Sequence, residues 1–119
     1  MTENLEDRDG LLYIEGTNEL ADGTYTSLGE ADAMYSEFSI KKGKRHGLSI
    51  VYWSNGNIAF KAKFENGICN GDQFFYYKNG QIQSQNKMRN DVRHGVCKEY
   101  NEDGSIIKIL RFENGEQIN

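Results

Sequence analysis

The side chains with the most obvious chemical reach are two histidines, two cysteines and a recurring tyrosine. His46 and His94 each stand in an Arg-His-Gly triplet, Arg45-His46-Gly47 and Arg93-His94-Gly95. Imidazoles can hold a metal or move a proton, but either task needs further ligands or an acid partner nearby. Asn70 holds the equivalent place between the two triplets, so no histidine continues the line. A turn-stabilising role is the simpler expectation. Cys69 and Cys97 sit at unrelated places, which gives neither metal-ligand spacing nor a redox pair. No nucleophile–base pair, paired-carboxylate constellation or phosphate-cradling glycine loop recurs. These patterns predict no catalytic residue, no metal and no cofactor, and hence no enzyme.

The elements that carry these residues repeat. Gly23, Gly47, Gly71 and Gly95 recur every 24 residues, and Gly56, Gly80 and Gly104 keep the same period from a second start. Tyr52, Tyr76 and Tyr100 follow it, as do Ile58, Ile82 and Ile106, and then Phe64, Met88 and Phe112. A fixed period of this size marks a repeat architecture in which each unit is one supersecondary element. Within a unit, Gly47 to Ser54 is rich in β-branched and aromatic residues and leads into Asn55-Gly56. Asn-Gly between two such runs is the strongest short-range hairpin signal, because the turn needs positive φ at both central residues. The return run places Ile58, Phe60, Ala62 and Phe64 in alternation with polar residues, the period of a strand. A second turn follows at Lys42-Gly43, Asn66-Gly67 and Asn114-Gly115, with Asn90-Asp91 in the same place between units three and four. Asn and Asp best tolerate the left-handed region among non-glycine residues.

The predicted fold is therefore all-β: about four 24-residue units, each an antiparallel β-hairpin, forming a twisted, elongated meander sheet of eight strands. Residues 1–9 form an acidic N-terminal segment and residues 10–119 a single repeat domain. The first unit, roughly residues 16–39, is degenerate: Leu28 replaces the tyrosine and Glu30-Ala31-Asp32-Ala33 replaces Asn-Gly, while Met34, Phe38 and Ile40 hold the inner face. Terminal repeats are expected to depart from the pattern because they cap the stack.

The recurring Gly-x4-Tyr-x2-Asn-Gly-x-Ile, followed by an aromatic residue and Asn-Gly, resembles the MORN repeat in its bacterial variant form. Gly47…Tyr52…Asn55-Gly56…Ile58…Phe64…Asn66-Gly67 and Gly71…Tyr76…Asn79-Gly80…Ile82 carry the likeness, and Asp103-Gly104 extends it. Gly10-Leu11-Leu12-Tyr13-Ile14 is similar to the opening of small bacterial proteins of this kind. The resemblance implies a binding module of the immunity or antitoxin type, or else a membrane-associated scaffold. It supplies no catalytic residue.

Charge and composition refine the expected partner. The net charge of -4 divides unevenly, with ten acids and one base in residues 1–40 and eight acids and thirteen bases thereafter. Unlike ends suggest that they face different partners, or each other. MTENLEDRDG has neither a basic n-region nor an apolar run, so a cytoplasmic protein is expected, and no segment is apolar for long enough to span a bilayer. Departures from the repeat are the best site signal. Opposite the tyrosine, the first strand carries Val51 and Trp53 in unit two and Phe75 and Tyr77 in unit three. Ser27 and Gly29, then Glu99 and Asn101, hold those places in the outer units. Four large groups on the non-repeating face make a candidate patch for a protein partner such as a toxin or effector. Covering of that patch by Leu11, Leu12 and Tyr13 is the alternative. Glu30, Asp32 and Glu37 belong to the acidic front expected to steer a basic partner. Tyr52, Tyr76 and Tyr100 are expected to form a cross-strand aromatic ladder. The bases, with Lys41, Lys42, Lys44 and Arg45 as the densest cluster, read as a solvated face. Nucleic acid is not an expected partner.

Overall fold

The computed structural model describes residues 4–28 and 33–118. Twelve strands follow in chain order: β1 (Leu5–Arg8), β2 (Leu11–Ile14), β3 (Gly23–Leu28), β4 (Ala33–Lys41), β5 (Lys44–Trp53) and β6 (Ile58–Glu65). The rest are β7 (Ile68–Tyr76), β8 (Ile82–Arg89), β9 (Val92–Arg93), β10 (Gly95–Tyr100), β11 (Ile106–Glu113) and β12 (Glu116–Gln117). β1 and β2 pair with each other; the other strands form one antiparallel sheet in the order β12-β11-β10-β8-β7-β6-β5-β4-β3, with β9 on β8. The four expected hairpins are β3–β4, β5–β6, β7–β8 and β10–β11. The sheet is one layer thick, and the molecule has extents of 47 × 34 × 18 Å. Its radius of gyration of 15.9 Å exceeds the roughly 13–14 Å of a compact chain of this length.

The second turns form as their sequences require, but the first turns do not take the expected form. At Asn55-Gly56, Asn79-Gly80 and Asp103-Gly104 only the glycine takes positive φ, at 91°, 92° and 92°, and its amide closes the turn on the Trp53, Tyr77 or Asn101 carbonyl. Asn66 and Asn114 take φ of 51° and 49°, and Asn90-Asp91 takes 51° and 69°. Asp91 is tolerated where its relatives are glycine because its carboxylate accepts the Cys69 amide at 2.7 Å. Each second turn also bonds back to the preceding one, from the amides of Gly43, Gly67, Asp91 and Gly115 to the carbonyls of Ala21, Arg45, Cys69 and Arg93. A side chain at the residue before three of the four unit-opening glycines supports the same turn, whereas His46, before Gly47, leaves its buried Nδ1 without a partner and does not take the turn-stabilising role expected of it. Asp22 accepts the Lys42 amide, Asn70 the Asn90 amide at 2.9 Å, and His94 Nδ1 the Asn114 amide at 3.1 Å. His94 is thus a turn acceptor with its proton on Nε2, so the Arg89 guanidinium 3.4 Å from Nε2 makes no hydrogen bond there.

One feature of the register differs from the sequence reading. The pairing slips between Val51 and Tyr52, between Phe75 and Tyr76, and between Glu99 and Tyr100. Each slip is a β-bulge that adds a residue to the return strand, at Ala59 in unit two. Ile58 therefore shares a face with Tyr52, whereas Phe60, Ala62 and Phe64 share the opposite face with Val51, Ser49 and Gly47. The alternation of Ile58 with Phe60 does not keep them together, because a bulge reverses facing without any change of period in the sequence.

The buried residues lie on this Val51 face: Tyr25, Ile40, Ser49, Ala62, Cys69, Asn86 and Cys97. Tyr25 is the largest fully buried side chain, and its hydroxyl both accepts the Asp22 amide and donates to the Asp22 carbonyl. The β1–β2 hairpin caps this end. Leu5 and Leu12 pack on the Tyr25, Ile40 and Ala21 cluster, and the Leu12 amide donates to the Gly43 carbonyl at 2.7 Å. Gly43 must stay small, since a Cβ there would lie 2.8 Å from the Leu20 side chain and 3.1 Å from the Leu12 carbonyl.

Candidate interaction face

The register brings part of the expected patch together and adds a member. Val51 pairs with Phe60, Phe60 with Phe75, and Phe75 with Ser84, so one row crosses the two central hairpins on the Val51 face. The Phe60 and Phe75 rings lie 5.0 Å apart at 57°, within the range of favourable tilted pairs. Phe75 is 37% exposed. The row is flanked by Ser36 on one side and by Ser84 on the other, so its centre carries no charge. The β1–β2 hairpin packs on unit one instead, where Leu5 and Leu12 lie against the cluster of Ala21, Tyr25 and Ile40. Covering of Val51 and Phe75 by Leu11, Leu12 and Tyr13 is therefore not the arrangement found. Phe60 escaped the sequence reading because the bulge that turns it to this face is silent in the hydrophobic pattern.

Trp53 and Tyr77 have a second task. Trp53 Nε1 donates to the Tyr76 carbonyl at 3.1 Å, and the Tyr77 hydroxyl donates to the Tyr100 carbonyl at 2.7 Å. Each reaches the same backbone position of the next unit, so both are seam staples as well as surface groups. Asn55 and Asn79 act in parallel. Their Oδ1 atoms accept the Asn57 and Gln81 amides of their own turns, and their Nδ2 atoms donate to the Lys78 and Glu102 carbonyls of the next unit. Trp53, Tyr77, Lys78, Asn79, Gln83 and Glu102 line a shallow recess of about 480 Å³, with Lys78 Nζ 5.5 Å from the Trp53 ring.

Glu37 does not join this patch: it pairs with Ile50 on the opposite, Tyr52 face. There the Tyr52 phenol is held above its ordinary pKa, first by burial and then by the charge of Glu37 and a hydrogen bond to it. Glu30 and Asp32 lie outside the described residues, as does the side chain of Met34. The tyrosines do not stack on one another from unit to unit. Tyr52, Tyr76 and Tyr100 sit opposite Ile58, Ile82 and Ile106, and Tyr52 stacks on Tyr35 at 4.8 Å. The aromatic ladder is thus an alternation of tyrosine with isoleucine.

The basic residues also sort by face. Lys61, Lys63, Lys87, Lys98 and Arg111 fall on the Tyr52 face in register with Ile50, Leu48, Asp72, Gln85 and Val96. Arg45 and Arg93 fall on the Val51 face, where the Arg45 guanidinium lies 5.0 Å from the Phe38 ring and 5.7 Å from Phe64, and Arg93 lies 4.9 Å from Phe112. Part of the Lys41–Arg45 cluster is therefore committed to packing. Cys69 and Cys97 are buried free thiols; burial, then the charge of Asp91, pushes the Cys69 thiol up and leaves it a poor nucleophile. Among the described residues no group of three His, Cys, Asp or Glu side chains is placed to hold a metal ion. No helix among them is long and apolar enough to cross a membrane.

No curated protein matches the chain. The profile of the MORN repeat variant family matches residues 45–66, 70–90 and 93–114, which are units two, three and four in the phase of the hairpins. Unit one, with its replaced turn and its cap, lies outside the matches. MORN repeats are non-enzymatic modules that bind proteins or membranes. With three consecutive units matched over more than half of its residues, the chain belongs to the MORN repeat variant family.

Proposed function

We propose that this protein is a non-catalytic module that binds a protein partner on the Val51 face, acting in the cytoplasm as an immunity- or antitoxin-like protein that occludes a toxin. The observation that carries the reading is the uncharged row Val51–Phe60–Phe75, whose outermost ring is 37% exposed. A compact apolar patch with a polar rim is the usual anchor of a protein interface. The acidic first third, with Glu30, Asp32 and Glu37, supports a basic partner through long-range steering, which does not require the acids to share the anchor's face. Affinity capture from the native host with the wild-type chain beside Phe75→Lys tests this. The expected result is one stoichiometric protein, lost with the variant; recovery of the same protein by both baits removes the Val51 face from the interface.

A second reading has its own observation. The bases on the Tyr52 face alternate with Ile50, Leu48 and Val96, and Glu37 and Asp72 are their acidic counterparts there. Basic and apolar groups on one face suit an anionic membrane surface. Co-sedimentation with phosphatidylcholine vesicles, with and without phosphatidylserine, decides it. Binding that needs the anionic lipid and weakens in salt favours this reading; no binding disposes of it.

A further inference from the structure

Five asparagines stand before a glycine: Asn55, Asn66, Asn70, Asn79 and Asn114. An asparagine in that setting can modify itself, because glycine places no side chain between its amide nitrogen and the asparagine Cγ. The nitrogen attacks Cγ and closes an imide ring; the Cγ–Nδ2 bond breaks, and ammonia leaves with the proton that the backbone nitrogen gives up. Water then opens the ring at either carbonyl, giving aspartate or isoaspartate, and nothing is oxidised or reduced. The attack needs a glycine nitrogen released from its hydrogen bond and a side chain free to turn toward it. All five asparagines are exposed, so access to water does not sort them.

We propose that Asn66 is a site of spontaneous intramolecular deamidation, set apart from the other four by how loosely its turn is tied. At Asn55 and Asn79 three bonds stand in the way. The Gly56 and Gly80 amides bond to the Trp53 and Tyr77 carbonyls at 3.0 Å. Oδ1 accepts the Asn57 or Gln81 amide at 2.9 Å, and Nδ2 donates to the Lys78 or Glu102 carbonyl. The staples that join the units therefore also protect these two residues. At Asn70, Oδ1 is held by the Asn90 amide, and the glycine lies within β7 in register with Met88. Asn66 and Asn114 have no side-chain hydrogen bond to a described residue. One bond holds each of their glycine nitrogens, Gly67 to the Arg45 carbonyl at 2.7 Å and Gly115 to the Arg93 carbonyl at 2.8 Å. Both also stand at positive φ, 51° and 49°, a strain that opening releases. The two differ in the support of the turn. The Asn114 amide is accepted by His94 Nδ1 at 3.1 Å, whereas the equivalent Nδ1 of His46 is buried and unpartnered. Asn66 thus sits at the one second turn of the four without a side-chain acceptor. Its product carboxylate joins Asp7, Lys44 and Arg45 in lining a cleft of about 440 Å³. Isoaspartate there lengthens the main chain and takes the Gly67 amide off the Arg45 carbonyl, which breaks the row of turn-to-turn bonds in its middle.

The full chain, kept folded in mildly alkaline buffer and sampled over weeks, tests this. Proteolysis and mass spectrometry give the rate at each asparagine, and a parallel sample in concentrated urea gives the rates without the fold. In urea the five should convert at similar rates. In the fold Asn66 should lead and Asn114 follow, with Asn55 and Asn79 about thirtyfold behind Asn66, the weight of two further hydrogen bonds. His46→Asp copies Asp22, which accepts the amide of its own second turn, and so supplies the missing acceptor. It should slow Asn66 about fivefold and leave Asn114 unchanged, with circular dichroism confirming the fold. Asn55, Asn79 or Asn114 converting as fast as Asn66 in the folded chain overturns the proposal. So does a spread of rates in urea that matches the spread in the fold, or an unchanged Asn66 rate in His46→Asp.

Discussion

The two faces of the sheet are built from the same strands yet differ in kind. The Val51 face holds the burial, from Tyr25 and Ile40 through Ala62 to Cys97, and its central row carries no charge. The Tyr52 face alternates tyrosine with isoleucine and lysine with aliphatic groups, and Leu48 and Ile109 on it stand 48% and 50% exposed. A one-layer sheet has no second layer to hide an apolar face, so each face must be stabilised within itself. The Val51 face does this with small residues sheltered by large neighbours. The Tyr52 face does it with tyrosine–isoleucine pairs and with lysines alternating among aliphatic groups. On both faces a long cation lies near a ring, Lys61 5.5 Å from Phe74 here and Arg45 5.0 Å from Phe38 there. The difference separates where the fold is held from where solvent and partners are met.

Substitutions can break or sharpen this contrast. The largest effect is expected at Tyr25→Ala, which empties the site of the largest fully buried side chain among the described residues and should cost about 3–5 kcal/mol. Leu48→Ala on the other face should cost about 0.5 kcal/mol or less. Urea unfolding of the two variants measures the ratio, and equal losses would abolish the distinction. Asp91→Ala removes the carboxylate that holds the Cys69 amide and leaves alanine at positive φ. It should cost about 1.5–3 kcal/mol and make the Cys69 thiol accessible to alkylation, which is slow in the folded wild type. Tyr77→Phe keeps the ring and deletes only the bond to the Tyr100 carbonyl. A loss of about 1 kcal/mol with unchanged partner binding would assign Tyr77 to the seam rather than to the anchor. The smallest effect is one of pH. The raised Tyr52 phenol favours its neutral form in the fold, so the associated stability is present below the ordinary tyrosine pKa and fades as pH rises through the folded value. In an alkaline absorbance titration Tyr52 should ionise late, and Glu37→Gln should bring it partway back; burial, the largest cause, and the neighbouring Tyr35 hold the remainder.

Much of this was legible in the sequence, and the part that was not has a physical cause. The hairpins follow from Asn-Gly and Asn-Asp pairs, because the demand for positive φ is local and only a few residue types meet it. The degenerate first unit could be read from its missing turn. Which side chains share a face could not. A bulge at Ala59 changes the facing of Phe60 relative to Ile58 while the residue count per unit stays constant. The anchoring row thereby gained Phe60, which pattern alone had assigned to the tyrosine side. The double role of Trp53 and Tyr77 was partly hidden for a similar reason. Each bonds to a carbonyl 23 residues away, and only their shared repeat position, each with a donor at its tip, hinted at it. The placement of the N-terminal hairpin on unit one depends on Leu12 of β2 reaching the turn at Gly43, a contact that no local signal announces.

The most direct test compares the faces in binding. With the captured partner purified, its affinity is measured for the wild-type chain, for Phe75→Lys on the Val51 face and for Leu48→Lys on the Tyr52 face. A loss of about tenfold or more with Phe75→Lys, and little change with Leu48→Lys, is the result this account predicts. The reverse order would contradict it and move the interface to the tyrosine and lysine face.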